Sequence, residues 1–181
     1  VGDLMNSGGI TSRLVEFVRT LIGHLRGGLA YVNIVVSAFL SAIVGSSNAV
    51  AAITSVSIVP EMKKDGYKDD YASAVSAASS IMGPIIPPSM VMIIYAVAAS
   101  VSVGGLFIAG IIPGLLLASS FIIVAYLHAR KNPDIVIRPR SSVRTVSRNF
   151  ISTLPALSIP LIILVGIIQG FFTPTEAGAM G

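Results

Sequence analysis

Two short stretches carry the residues that could do chemistry. Gly45-Ser46-Ser47-Asn48 lies in the middle of an uncharged run from Gly27 to Pro60. Gly83-Pro84-Ile85-Ile86-Pro87-Pro88-Ser89 lies inside a longer run, Tyr71 to Leu127, with no Asp, Glu, Lys or Arg. Apolar runs of this length read as membrane-spanning. Each proline removes a backbone donor and clashes with the preceding turn, so a helix from about Tyr71 is expected to stop near Met82 and a second to start near Pro88. The break frees carbonyls on one side and N–H groups on the other. Unwound backbone at membrane depth survives only where it is buried in protein or lines a cavity, and broken helices of this kind point to a transporter's binding site.

The first stretch offers both signs of partial charge. A helix ending at Gly45 would aim its last carbonyls at the turn, which suits a small hard cation such as sodium. Ser46, Ser47 or Asn48 could cap the following helix, whose first N–H groups suit a carboxylate. The plainer reading, in which these side chains only satisfy a helix end, stays open beside it.

Composition sets the class. Of 181 residues, 54% are hydrophobic and 11% charged, where a soluble domain has about 25% charged. This implies an all-α integral membrane protein. The net charge of +4 comes from basic residues between apolar runs, which fits loops obeying the positive-inside rule better than a nucleic-acid surface. The absence of cysteine excludes disulfide and thiolate chemistry. Enzyme readings fare poorly, because His24 and His128 are far apart and neither supplies a metal-binding pair or a base beside Ser46 or Ser47. A channel or structural subunit is compatible with the composition but does not explain two broken apolar segments.

The elements that must position these stretches follow from the charge pattern. Residues 1–26 read as an amphipathic lead-in at the membrane surface, with Arg13, Glu16, Arg19 and Arg26 among the apolar positions and His24 as an interfacial side chain. Residues 27–60 are too long for one span and too short for two, and basic residues flank both ends. They read as a re-entrant helical hairpin, with one tilted, kinked span as the alternative. Residues 61–70 form a solvated mixed-charge loop, 71–100 the broken helix and 101–129 a span kinked near Pro113. Residues 130–149 form a basic cytoplasmic connector, and 150–181 hold a further span and the start of the next element, with Thr173, Pro174 and Glu176 as a capping box. The Ala- and Ser-rich stretch from Tyr71 to Ser80 would let helices approach closely. The chain reads as a piece of something longer.

At this point a resemblance emerges. Gly45-Ser46-Ser47-Asn48-Ala49, the run Ile58 to Tyr67, the run Ala74 to Ser89, Phe107 to Gly114 and Gly170 to Ala177 together resemble the large membrane subunit of tripartite ATP-independent periplasmic (TRAP) transporters. The resemblance implies a sodium-coupled importer of an organic acid working by an elevator motion in the bacterial inner membrane. Its fold would be of the ion-transporter type, and this chain would hold the first inverted repeat and the start of the second. Implied partners are a small membrane subunit, a periplasmic substrate-binding protein, a carboxylate substrate and membrane lipid. Carried onto this chain, the sodium region falls on Gly45, Ser47, Asn48, Gly83, Pro84 and Pro87, with Ser46 and Ser89 as candidate substrate contacts. Val44 and Val50 stand where many members carry serine and aspartate, so a ligand or hydrogen bond assigned to those side chains in the family does not carry over. A divalent-anion sodium symporter of related architecture, working without a binding protein, is the alternative.

Overall fold

The computed structural model describes residues 9–133 and 135–171, and within them the secondary structure is helical, without strands. In chain order the helices are α1 (Ile10–Ile22), α2 (Gly28–Val44), α3 (Ser47–Ser57), α4 (Val59–Lys64), α5 (Asp69–Ser80), α6 (Met90–Ala98), α7 (Val103–Lys131) and α8 (Val143–Ile168). The capping-box residues Thr173, Pro174 and Glu176 lie outside the described residues.

Helix α2 is the centre of the packing. It is apolar except for a stripe of Asn33, Ser37 and Ser41, which is buried as well, and a helix of that kind is stable only when surrounded. Leu29, Ala30, Val32, Ile34, Val36 and Leu40 are all buried, and α1, α3, α5, α7 and α8 pack on it. The amphipathic α1 turns Leu14, Val15, Phe17 and Val18 inward and leaves Ser12, Arg13 and Glu16 exposed. It lies against α8, where Phe17 meets Phe150 and Thr153 Oγ1 donates to the Arg13 carbonyl.

Helices α2 and α3 form a hairpin joined by Gly45 and Ser46. Ser37, eight residues before Gly45, meets Ser79 of α5 at 3.0 Å, and Thr54, nine after it, hydrogen-bonds Ser76. The two arms therefore run antiparallel and share one face of α5. That face is made of Ala72, Ser76, Ser79 and Ser80, small enough for the close approach expected of this stretch. Interhelical hydroxyl bonds contribute only about 0.6 kcal/mol each in this setting, so the seam fixes register more than it supplies stability.

Helices α7 and α8, with 29 and 26 residues, are long and apolar enough to cross a membrane by length and composition. Both continue through internal prolines, Pro113 in α7 and Pro155 and Pro160 in α8, so Pro113 does not end its helix.

Several boundaries differ from the sequence reading. The segment at 61–70 is not a solvated loop throughout. Helix α4 takes its first half, α5 begins at Asp69, and Asp65 is 7% exposed. The Arg138 guanidinium holds the Asp65 carboxylate through two bonds, Nε to Oδ2 at 2.8 Å and Nη2 to Oδ1 at 2.7 Å. The Val136 N–H also donates to the Asp65 carbonyl. Seventy-three residues separate the two side chains, so no local pattern marked the pair. The basic connector is shorter than 130–149, because α7 runs to Lys131 and α8 starts at Val143 under a Ser142 cap whose hydroxyl accepts from the Thr145 N–H.

Candidate site where the hairpin tip meets the helix break

Helix α2 ends at Gly45 in the left-handed conformation (φ 63°), with its N–H on the Ser41 carbonyl. The carbonyls of Ala42, Ile43 and Val44 accept no backbone hydrogen bond among the described residues. Helix α3 starts one residue later. Ser46 occupies its N-cap position with extended backbone, yet no side-chain cap bond forms, and the N–H groups of Ser47, Asn48 and Ala49 have no partner among the described residues. The tip thus presents carbonyls from one arm and N–H groups from the other, as the residue pattern implied.

The break is longer than expected: α5 stops at Ser80 and α6 starts at Met90. Its first residues curl into turns that consume carbonyls, with Ile81, Met82 and Gly83 N–H bonded to Ala78, Ser79 and Ser80. The α6 end is more open. The N–H groups of Met90, Val91 and Met92 have no backbone partner among the described residues, the first helical bond being Ile93 to Ser89.

Tip and break meet through backbone. A methyl group on Gly83 would lie 2.8 Å from the Ser47 nitrogen and 3.0 Å from the Ser46 carbonyl carbon. One on Gly45 would lie 2.8 Å from the Met90 nitrogen. Glycine is thus required at both positions by contact, and at Gly45 by conformation as well. The junction leaves a cavity of about 370 Å³ lined by Val44, Ser46, Ser47, Asn48, Pro84 and Met90, with Gly45 and Val91.

Of the residues singled out from the sequence, Gly45, Ser46, Ser47, Asn48 and Pro84 line this cavity. Gly83 and Pro87 are buried and lie outside its lining, Gly83 as the contact that closes the junction. Ser89 is fully buried, and its hydroxyl donates to the Pro84 carbonyl at 3.1 Å, bracing the break rather than lining the cavity. Met90 and Val91 were not singled out. The signal for them was Ser89 followed by an apolar run, the pattern of a helix start.

The first turns of α3 and α6 both border the cavity, and each brings a positive dipole end with unpaired N–H donors, a setting for a carboxylate. The oxygen donors nearby are backbone carbonyls and hydroxyls, which suit a hard cation.

At the opposite end of the hairpin, side chains make the connections. Arg19 reaches Glu61 at 2.8 Å, and His128 stacks on Tyr71 with ring centroids 3.5 Å apart. The Asp65 hydrogen bonds raise the already high pKa of Arg138 further, and burial pushes the Tyr67 phenol up.

All 181 residues match the family described as tripartite ATP-independent periplasmic transporter, DctM component. The chain is 40% identical over 179 residues to the sialic acid TRAP transporter large permease protein SiaM of Vibrio cholerae, covering 99% of this chain and 42% of that protein. It is 41% identical over 180 residues to the C4-dicarboxylate TRAP transporter large permease protein DctM of Pseudomonas aeruginosa, covering 99% and 42%. It is 40% identical over 177 residues to the ectoine/5-hydroxyectoine TRAP transporter large permease protein UehC of Ruegeria pomeroyi, covering 98% and 41%. The chain therefore spans about two fifths of the length of these relatives.

Proposed function

The chain belongs to the DctM component family of tripartite ATP-independent periplasmic transporters, and from that premise we propose that it builds one half of a sodium-coupled import site for an organic acid. The observation that carries this reading is the cavity bordered by the N-termini of both α3 and α6. Two sets of unpaired N–H groups with converging positive dipole ends favour a carboxylate without any titratable side chain. The solutes named for the relatives above, sialic acid, C4-dicarboxylates and ectoine, all carry that group.

Sodium would be held at the same junction by the free carbonyls at the end of α2 and by the Ser47 and Asn48 side chains, with Gly45, Gly83, Pro84 and Pro87 setting the backbone path. Ser46, on the cavity wall, is the better placed of the two candidate substrate contacts, and Ser89 acts by bracing the break. In this reading the hairpin and the broken helix move together as an elevator body in the bacterial inner membrane. A small membrane subunit enlarges the scaffold, and a periplasmic binding protein delivers the acid.

The test is uptake into liposomes containing the full-length permease and its small partner, with binding protein and a radiolabelled acid outside. The expected result is concentrative uptake that needs both an inward sodium gradient and the binding protein, and fails with potassium. Sodium-driven uptake that ignores the binding protein would overturn the tripartite reading. Leakage independent of any gradient would overturn coupled transport altogether.

A further inference from the structure

A second cavity lies away from the junction. It is a slot of about 170 Å³ between α5 and α7, walled by Tyr71, Ala74 and Ala78 on one side and by Phe121, Val124 and Ala125 on the other. The wall is apolar throughout, and in α5 it follows the small-residue surface beside the face used by the hairpin arms. From Tyr71 to Ala78 the slot covers about 10 Å of helix at 1.5 Å per residue. The space fits a hydrocarbon chain.

What caps the slot is charged. Tyr71 lies in the first turn of α5, so the slot begins at the end of the bundle that carries the charged loops. Lys68 stands one residue before that helix, and the His128 ring of α7 stacks on Tyr71 at 3.5 Å with the planes 5° apart. On the other wall, α7 continues from Ala125 to His128, Arg130 and Lys131, the last two exposed. Of the acids on the first turn of α5, Asp69 is held by Lys63 at 2.8 Å, which leaves Asp70 against Lys68 and Lys131. An apolar slot running inward from a positive mouth is the shape of an anionic amphiphile.

We propose that the α5–α7 slot holds one acyl chain of an anionic phospholipid, with the headgroup phosphate between Lys68 and Lys131. The slot lies beside the hairpin's hydroxyl seam on α5, with Ile34 of α2 in its lining, and it stands whether or not the solute reading above is right. Lipid would fill the seam between the broken-helix half of the body and the long span α7, where no protein side chain does so among the described residues.

The experiment uses the full chain purified in mild detergent and stripped of lipid. Phosphatidylglycerol and phosphatidylcholine with identical acyl chains are titrated in, and retained lipid is counted by native mass spectrometry, with glycerol phosphate as a headgroup-only probe. One tightly held phosphatidylglycerol is expected, with a preference of about tenfold or more over phosphatidylcholine, since each cation near a phosphate favours binding by about 1 kcal/mol. Filling the slot with Ala74→Leu and Ala78→Leu should lower retention at least tenfold. Val124→Trp fills it from the other wall and gives the same test if the leucines disturb α5, which circular dichroism would reveal. Lys68→Gln with Lys131→Gln should leave binding but abolish the preference. Equal retention of the two lipids by the parent, undiminished retention by a folded slot-filled variant, or glycerol phosphate binding as tightly as the lipid would each overturn the proposal.

Discussion

The two ends of the hairpin are joined to their surroundings on opposite plans. At the tip, backbone meets backbone: Gly45 lies against the Met90 nitrogen and Gly83 against the Ser47 nitrogen, and no charged side chain lines the cavity between them. At the base, side chains reach across: Arg138 to Asp65, Arg19 to Glu61, His128 onto Tyr71. Backbone dipoles are fixed in place, cannot titrate and need no rotamer to be ordered. Ion pairs instead hold together pieces of chain that are remote in sequence. The tip should therefore be sensitive to volume and tolerant of lost hydroxyls, and the base should show the reverse.

The largest expected effects follow from breaking the glycine contacts. Gly83→Val places atoms inside the Ser46–Ser47 peptide, which cannot yield as a flexible side chain could. A cost of about 3 kcal/mol and loss of nearly all uptake are expected. Gly45→Ala combines a left-handed conformation, worth about 1–2 kcal/mol, with the 2.8 Å contact to Met90, and uptake should fall about tenfold or more. Uptake per correctly inserted molecule is the measurement, and near-normal rates for Gly83→Val would show that the junction is not closed by backbone contact.

At the base, Asp65→Asn keeps the shape and removes the charge under Arg138. With Arg138 30% exposed, the loss should be about 1–2 kcal/mol, well below that of a fully buried pair. Arg138→Lys should recover little, because a single ammonium cannot make the two parallel bonds. Thermal unfolding of both variants checks this, and an unchanged midpoint for Asp65→Asn would remove the contrast between the two ends. Glu61→Gln tests the more exposed partner of Arg19 and should cost about 0.5 kcal/mol.

The smallest effect sharpens the comparison most. Ser46 sits at an N-cap position, where loss of the hydroxyl ordinarily costs about 1 kcal/mol. Here it makes no cap bond, so Ser46→Ala should change stability by no more than about 0.3 kcal/mol. A raised KM for the transported acid at unchanged stability would place that hydroxyl on the solute, whereas a full capping loss would give it a structural role.

Much of this was legible in the order of residues. Gly45 turned out to end one helix, as its type and neighbours indicated, although the turn is only Gly45 and Ser46, with Ser47 and Asn48 already inside α3. The prolines at 84, 87 and 88 marked the break, but its limits at Ser80 and Met90 were wider than the prolines alone suggested, because short turns take up the residues that follow Ser80. The stretch 61–70 was misjudged for a related reason. Its charges looked solvent-exposed one by one, and only the arrival of Arg138 from the connector makes burial of Asp65 tolerable.

Hydrophobicity, proline and glycine act within a turn or two of the chain. Sequence by itself therefore determined that the protein is helical and apolar, that its two longest uncharged runs are interrupted, and which family it joins. Which interruptions face each other was decided by tertiary structure. Gly83 against Ser47, Gly45 against Met90, Arg138 on Asp65 and the slot between α5 and α7 all join residues that are far apart in the chain. Such contacts have no local signature, because they arise only when the central helix α2 draws the other helices around it to bury its own apolar surface.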